Sequence, residues 1–476
     1  MMIDKGKVIY MAYRAVSYSL SPFIYIHLQW RRFRGLEHPI RWRERLGHPS
    51  INRPPGPFLW FHAVSLGEGL AAIPVIRRCI QQKPNLTILM TTTTTSAFEV
   101  IKDRLPNDVL YQYAPLDTPS AMDDFLDYWN PVAVMLMESE LWPNLVFGAT
   151  KKGITMALLN ARMSSKSFHR WSTPIVFPLI SSMLSKFSLI APLSNVEAIR
   201  YQLLQAPPFI INFAGDLKYA VNNVDISMQD NTCLEDLQLR LGNRPVWMAS
   251  SIHKGEDEVV VGVHRALMQV YPNVITIIVP RHPQLGQQMA LELRKDGFNV
   301  VLRSCKEKIL PSTNFYIVDT LGSFTYVFVH LGFNLLLSLK FRAHCLDFPI
   351  WGELRSLYRI IPVAVIGGSF LPGLAGHNVS EAAAAGCAVL TGRYVGHFSR
   401  MILEMQQINP LSVMQVSGQT DLLKKLLELF SNANTLETHR MAAKQAFHAL
   451  SNGVVSNIWN LLNIHVIQKA LPPEIK

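Results

Sequence analysis

The sequence predicts an α/β protein built of two doubly wound, parallel-sheet domains, and three observations carry that prediction. Short β-type apolar runs alternate with longer helical stretches along most of the chain. The alternation is interrupted by one polar stretch, 222–243, and then resumes. With 476 residues, 49% of them hydrophobic, the chain is too long for one core and apolar enough for two. Two Rossmann-like domains facing one another across a cleft are the expected architecture, with ligands beyond the C-terminal ends of the strands.

The elements follow in order. A strand over 58–64, a helix from about Glu68 and a strand over 86–92 make a βαβ opening. Further strands are expected at 133–137, 155–159, 189–191 and 210–213, with a helix starting after Pro143, so that 46–221 forms the N-terminal domain. The threonine run 91–95 reads as a strand end leading into a turn. After the linker 222–243, strands at 246–250, 274–279, 299–302, 315–318, 363–366 and 388–390 define a C-terminal domain over 244–450, and 451–476 adds a helix and tail.

Composition narrows the function. A net charge of +11 calls for an anionic partner: phospholipid, phosphorylated glycolipid or nucleotide. Nucleic acid is the weaker choice, because no zinc-finger spacing, aromatic RNA-binding signature or long Lys/Arg block accompanies the charge. Five scattered cysteines fit buried free thiols better than disulfides or metal knuckles. Residues 1–45 stand apart as a membrane-associating or targeting segment: an apolar run over 8–28 containing Arg14, then Arg31, Arg32, Arg34, Arg41, Arg43 and Arg45. A single-pass anchor, an interfacial helix with its arginines on anionic headgroups, and an organelle transit segment all fit these features.

Several polar motifs fall at strand ends. Ser65-Leu-Gly-Glu68-Gly69 opens a helix after the first strand; Glu68 has general-base geometry there, and equally the position of an acid that complements the helix dipole. Glu138-Ser-Glu140-Leu-Trp-Pro-Asn144 puts two acids at the end of an apolar strand, where acids rarely serve packing. Asn160-Ala-Arg162 offers groups for hydroxyls or phosphates, or a capping turn, and Gly215-Asp-Leu-Lys218 offers a cation. In the second half, Pro280-Arg281-His282-Pro283 presents a fixed cation and an imidazole, a plausible phosphate site. Gly376-His-Asn378-Val379-Ser380-Glu381 starts an alanine-rich helix: its N-terminus suits phosphate and Glu381 suits ribose hydroxyls, while Asn378 as N-cap with Glu381 three residues on gives a capping arrangement. No metal site is expected, since His282 lacks partners at ligand spacing.

Taken in order and spacing, these motifs together with Asp319-Thr-Leu321-Gly322 resemble the 3-deoxy-D-manno-octulosonic acid (Kdo) transferase family over roughly residues 35–450. The resemblance implies a GT-B fold and an inverting transfer of Kdo from CMP-Kdo to an anionic lipid A precursor at a membrane surface, with no cofactor or metal. It implies Glu68 as general base, and Glu138 and Lys218 as stabilisers of the transition state. Arg281, His282, Leu321, Gly322, Glu353, Asn378, Val379, Ser380 and Glu381 match the family's CMP-binding segments. The family runs from Gly322 directly into the Glu353 segment, whereas here 323–352 intervenes. We read that insertion as translated non-coding sequence or a gene-model artefact, which points to the plant branch; there the basic, acid-poor N-terminus suggests mitochondria, whereas a bacterial source would place the chain at the cytoplasmic face of the inner membrane. A GT-B enzyme using another nucleotide sugar, and an inactive membrane-surface binding protein, are the alternatives.

Overall fold

The computed structural model describes residues 4–223, 236–305, 307–320 and 350–471. They form two compact units: one of the described residues up to Asn223 and those from Gly453 onward, the other of those from 236 to Asn452.

The first unit is built on six strands, β1 (Phe58–His62), β2 (Thr87–Thr92), β3 (Val109–Tyr113), β4 (Ala133–Met137), β5 (Thr155–Ala161) and β6 (Leu189–Pro192). They pair in the order β3-β2-β1-β4-β5-β6, every pair parallel. Every residue of β1 and β4 is buried, which explains unbroken apolar runs in place of alternation. Leu59, Phe61, Met135 and Met137 pack on one face, and Phe58, Trp60, Val134 and Leu136 on the other. Strand order reverses between β1 and β4, so the loops leaving these two strands open the crevice where such sheets bind ligands.

The described residues 4–45 group with the first unit. Helices Lys5–Ser19 and Ser21–Phe33 lead the first unit, and the first of them packs into it. Asp4 caps the first helix, Tyr10 stacks on Phe147 at 3.9 Å, and the Tyr13 hydroxyl donates to Asp117 at 3.0 Å. Arg14, the charge inside the apolar run, pairs with Asp123 at 2.6 Å. Arg31 meets Glu37, Arg41 meets buried Glu44, and Arg45 donates to the Ala114 carbonyl, so these three arginines hold the fold together. Among the described residues no helix is long and apolar enough to cross a membrane.

Three other expectations change. The segment 210–213 is not a strand: Pro207 and Pro208 favour a 3-10 turn over Pro208–Ile210, and only an isolated bridge joins Ile211 to Ile190. The edge strand β3, whose apolar run is broken by Gln112, was not foreseen. The helix Val454–Leu462 returns to the first unit, where Val454, Ile458, Trp459 and Leu462 join the core that holds Leu59 and Phe61.

The second unit carries β7 (Val246–Ile252), β8 (Ile275–Pro280), β9 (Val300–Leu302), β10 (Phe315–Ile317), β11 (Val363–Ile366), β12 (Ala388–Thr391) and β13 (Met414–Gln415). The order is β13-β12-β11-β7-β8-β10-β9, again all parallel, with the reversal between β7 and β11. Leu321, Gly322 and 323–349 lie outside the described residues, and Glu353 is described only as part of the helix Ile350–Ile360.

Candidate active site

The first unit gathers its polar groups at the C-terminal ends of β1, β4 and β5. Ser65 is the N-cap of helix Leu66–Gln82, which sets Glu68 in the first turn. The Val64 N–H donates to Glu68 Oε2 at 2.8 Å, and the Ser65 hydroxyl donates to Oε1 at 2.8 Å. The carboxylate is therefore fixed at the helix N-terminus, where it complements the dipole as well as accepting these two bonds. Burial pushes the Glu68 carboxyl above the usual carboxylate range and ionised Glu138 adds to that, while the Val64 and Ser65 donors act the other way.

Glu138 follows β4 with φ +54°, a conformation costly for a residue with a side chain. Its backbone is clamped on both sides: its N–H donates to the Leu159 carbonyl, and its carbonyl accepts from the Arg162 N–H. This turn aims the carboxylate at Lys218, with Nζ 2.7 Å from Oε1. Asn160, also at positive φ (+54°), supplies the opposing support. Its amide donates to Asp216 Oδ1 at 3.1 Å and accepts from the Leu217 N–H at 2.9 Å, while Asp216 Oδ1 accepts the Lys218 N–H at 2.8 Å. Asn160 is thus buried and committed to the turn that carries Lys218, and is not placed to orient substrate hydroxyls.

Glu140 was read only as part of a motif, and the structure gives it a distinct place. The Trp142 indole N–H donates to Glu140 Oε2 at 2.8 Å, and the Trp142 ring meets His62 edge-on at 4.6 Å. His62 ends β1, is fully buried and bonds to Thr91; burial pulls its imidazole down to about 3, so it is a neutral wedge. Burial and the neighbouring Glu68 push the Glu140 carboxyl up to about 7.

In the second unit, the loops after β7, β8 and β11 carry the candidate anion site. Arg281 and His282 follow β8 and are exposed. Two residues missed by sequence reasoning organise their surroundings. His253 Nε2 bonds to His377 Nε2 at 2.8 Å, and the His282 ring stands edge-on to His253 at 6.1 Å. Burial and then the Arg281 charge pull His377 down to about 4. Glu256, fully buried, accepts backbone N–H bonds from His253, Gly368, Ser369 and Phe370 at 2.7–2.9 Å and so fixes the glycine turn after β11. Gly368 needs its left-handed φ of +67° there, and a Cβ would strike the His377 ring.

At the start of helix Ser380–Ala385, Asn378 Oδ1 accepts from both the N–H and the hydroxyl of Ser380, although the capping residue proper is Val379. Val379 is buried, so it offers a ligand no side chain. Glu381 stays within 3.8 Å of Arg355 and accepts from the Asn378 amide. Asp319 is occupied by the Ser304 N–H and hydroxyl. Among the described residues no group of three or more His, Cys, Asp or Glu is placed to hold a metal ion. Of the cysteines, Cys79 and Cys387 are buried as expected, and Cys305 is exposed.

The sequence profile of 3-deoxy-D-manno-octulosonic-acid transferase matches residues 40–221. A protein of Arabidopsis thaliana named "Probable 3-deoxy-D-manno-octulosonic acid transferase, mitochondrial" is 55% identical over 464 residues, covering 97% of both chains. The chain belongs to the Kdo transferase family. A Kdo transferase of Haemophilus influenzae is 31% identical over 432 residues, covering 89% of this chain and 91% of its own. Among solved structures, a glycosyltransferase of Rickettsia africae matches with a TM-score of 0.51 at 13% identity, over 89% of this chain and 100% of its own, a likeness of fold. The fold class is GT-B, and as a Kdo transferase the chain is a glycosyltransferase.

Proposed function

We propose that this Kdo transferase moves Kdo from CMP-Kdo to a hydroxyl of an anionic lipid A precursor with inversion, Glu68 acting as base. The acceptor O–H bond breaks as its proton passes to Glu68, the hydroxyl oxygen bonds to the anomeric carbon, and CMP departs with the electron pair of the glycosidic bond. Glu138 and Lys218 stabilise the charge that develops. Arg281 and His282, with the Leu321-Gly322, Glu353 and 378–381 segments, hold CMP. The observation that carries the reading is the support of Glu68, Glu138 and Lys218 at the strand-order reversal of the first sheet. Fixed cations and helix N-termini suffice for a nucleoside monophosphate leaving group, so transfer needs no metal and survives exhaustive chelation.

The acceptor is met at a membrane surface, and the N-terminal helices supply the contact. Phe23, Ile26 and Phe33 are 68%, 63% and 89% exposed on a helix that ends in Arg31 and Arg32. The Arabidopsis relative's name points to mitochondria. Incubating the purified chain with CMP-Kdo or UDP-sugars and a lipid A precursor tests the reading: product forms with CMP-Kdo alone, and transfer from a UDP-sugar instead would overturn it. Phe23→Ser/Phe33→Ser should lower co-sedimentation with anionic phospholipid vesicles; unchanged sedimentation would remove the membrane assignment.

A further inference from the structure

The helices Lys5–Ser19 and Ser21–Phe33 meet at Leu20, where the hydrogen-bond ladder continues: the Leu20 N–H donates to the Val16 carbonyl at 2.9 Å, and the Ile24 N–H to the Leu20 carbonyl at 3.0 Å. One helical face therefore runs on through the junction, and Tyr13, Val16, Ser17, Leu20 and Ile24 fall on it at helical spacing. Opposite that face stands the loop 116–118, which leaves β3, and the two enclose a groove of about 280 Å³. Because every pair in the first sheet is parallel, this loop lies at the same edge of the sheet as the turns that carry Glu68 and Glu138.

The polar side chains Tyr13, Ser17 and Asp117 in the groove wall are already engaged. Asp117 accepts from the Tyr13 hydroxyl at 3.0 Å and from the N–H groups of Asn144 and Leu145 at 3.2 and 3.0 Å, and the Ser17 hydroxyl accepts from the Asn144 amide at 3.3 Å. Asn144 and Leu145 open the helix that follows Glu138, so the groove wall and the active-site turn brace one another. Val16, Leu20, Ile24 and Leu116 supply the apolar lining, and Val16 and Leu20 are 58% and 47% exposed. An aliphatic chain would cover that surface, whereas a polar ligand would exchange its water for few free partners. Farther along the second helix the exposed guanidiniums of Arg32 and Arg34 lie over the rings of Trp42 and Trp30 at 5.1 and 5.0 Å, and neither forms an ion pair among the described residues. An apolar groove and unpaired cations on one pair of helices match an anionic amphiphile.

We propose, on the reading of the acceptor as an anionic glycolipid, that this groove seats one acyl chain of that acceptor during transfer. A seated chain holds the glycolipid by a part remote from the reacting hydroxyl, and that binding serves to position the hydroxyl.

The test uses a lipid A precursor carrying a diazirine in one acyl chain, irradiated with the full chain in mixed detergent micelles without CMP-Kdo. Label should fall on residues 13–24 and 116–118. At equal mole fraction, unlabelled precursor should suppress it more than phosphatidylglycerol does; equal suppression would overturn the assignment to the acceptor. Val16→Trp and Leu20→Trp fill the groove with apolar bulk that suits a membrane surface, so a general membrane contact would survive them and a seated chain would not. Each should reduce the labelling, and each should lower the preference for the acylated over the deacylated precursor, read as the ratio of kcat/KM, by about tenfold. Label falling elsewhere, or undiminished in both variants, overturns the proposal. Should neither precursor accept Kdo, the reading of the acceptor fails, while the labelling still decides whether the groove holds an acyl chain.

Discussion

Lys218 Nζ lies 2.7 Å from Glu138 Oε1, and neither side chain reaches the other by chance of the surface. Glu138 is turned out of β4 at φ +54°, and Lys218 is presented by a turn that buried Asn160 and Asp216 hold together. Only 12% and 24% exposed, the two side chains interact in a partly desolvated setting where charge is more effective than in water. Two strained backbone positions on neighbouring strands are concentrated where the transfer chemistry is proposed.

This pair should behave as a unit. Glu138→Gln and Lys218→Met are each expected to lower kcat by about a hundredfold, and the double variant should lose much less than the product of the two. Steady-state rates of all four proteins close the cycle. Losses that multiply would show that the two side chains act independently.

Stability in acid should depend on His264. It is fully buried, bonded to Thr276 and packed on Phe315, and burial pulls it down to about 4 from an ordinary 6.5. Below pH 6.5 the unfolded chain gains a proton there that the folded chain refuses until about pH 4. Stability is therefore lost as pH falls through that window. In the first unit Glu140 and Asp117, raised to about 7 and about 6, work in the opposite sense, because the folded state takes up their protons first. His264→Gln should be less stable than wild type at pH 7, and by pH 4.5 the gap should shrink by about 2 kcal/mol. Urea unfolding at both pH values measures it; a constant gap would contradict the assignment.

How far these features were legible varies by element. The doubly wound sheets were plain, because strands buried on both faces leave continuous apolar runs such as β1 and β4. Glu68 was visible as an acid at a helix start, but its bonds to Val64 and Ser65, which hold the carboxylate on the helix N-terminus, were not. Asn160 was misjudged because its partners, Asp216 and Leu217, lie more than fifty residues away. Glu256 resembled any acid opening a helix, and its acceptor role depends on a glycine turn 112 residues downstream. Arg14 looked like an awkward charge in an apolar run until Asp123, 109 residues on, supplied its partner.

Glu256 should prove structural for the donor site. Replacing it with Gln keeps its size but leaves fewer acceptor lone pairs for the N–H groups of His253, Gly368, Ser369 and Phe370. Glu256→Gln is expected to cost about 2–3 kcal/mol of stability and to weaken CMP binding at least tenfold by calorimetry. Full CMP affinity in this variant would separate the glycine turn from the nucleotide site.

Transfer by the proposed route depends on the carboxylate of Glu68. Glu68→Gln can keep the acceptor contact with Val64 or Ser65 but cannot take a proton, so transfer from CMP-Kdo should fall by about 10²–10⁴-fold while CMP-Kdo binding stays at the wild-type level. Measuring both on one preparation tests the claim most directly: a wild-type transfer rate in Glu68→Gln would contradict it.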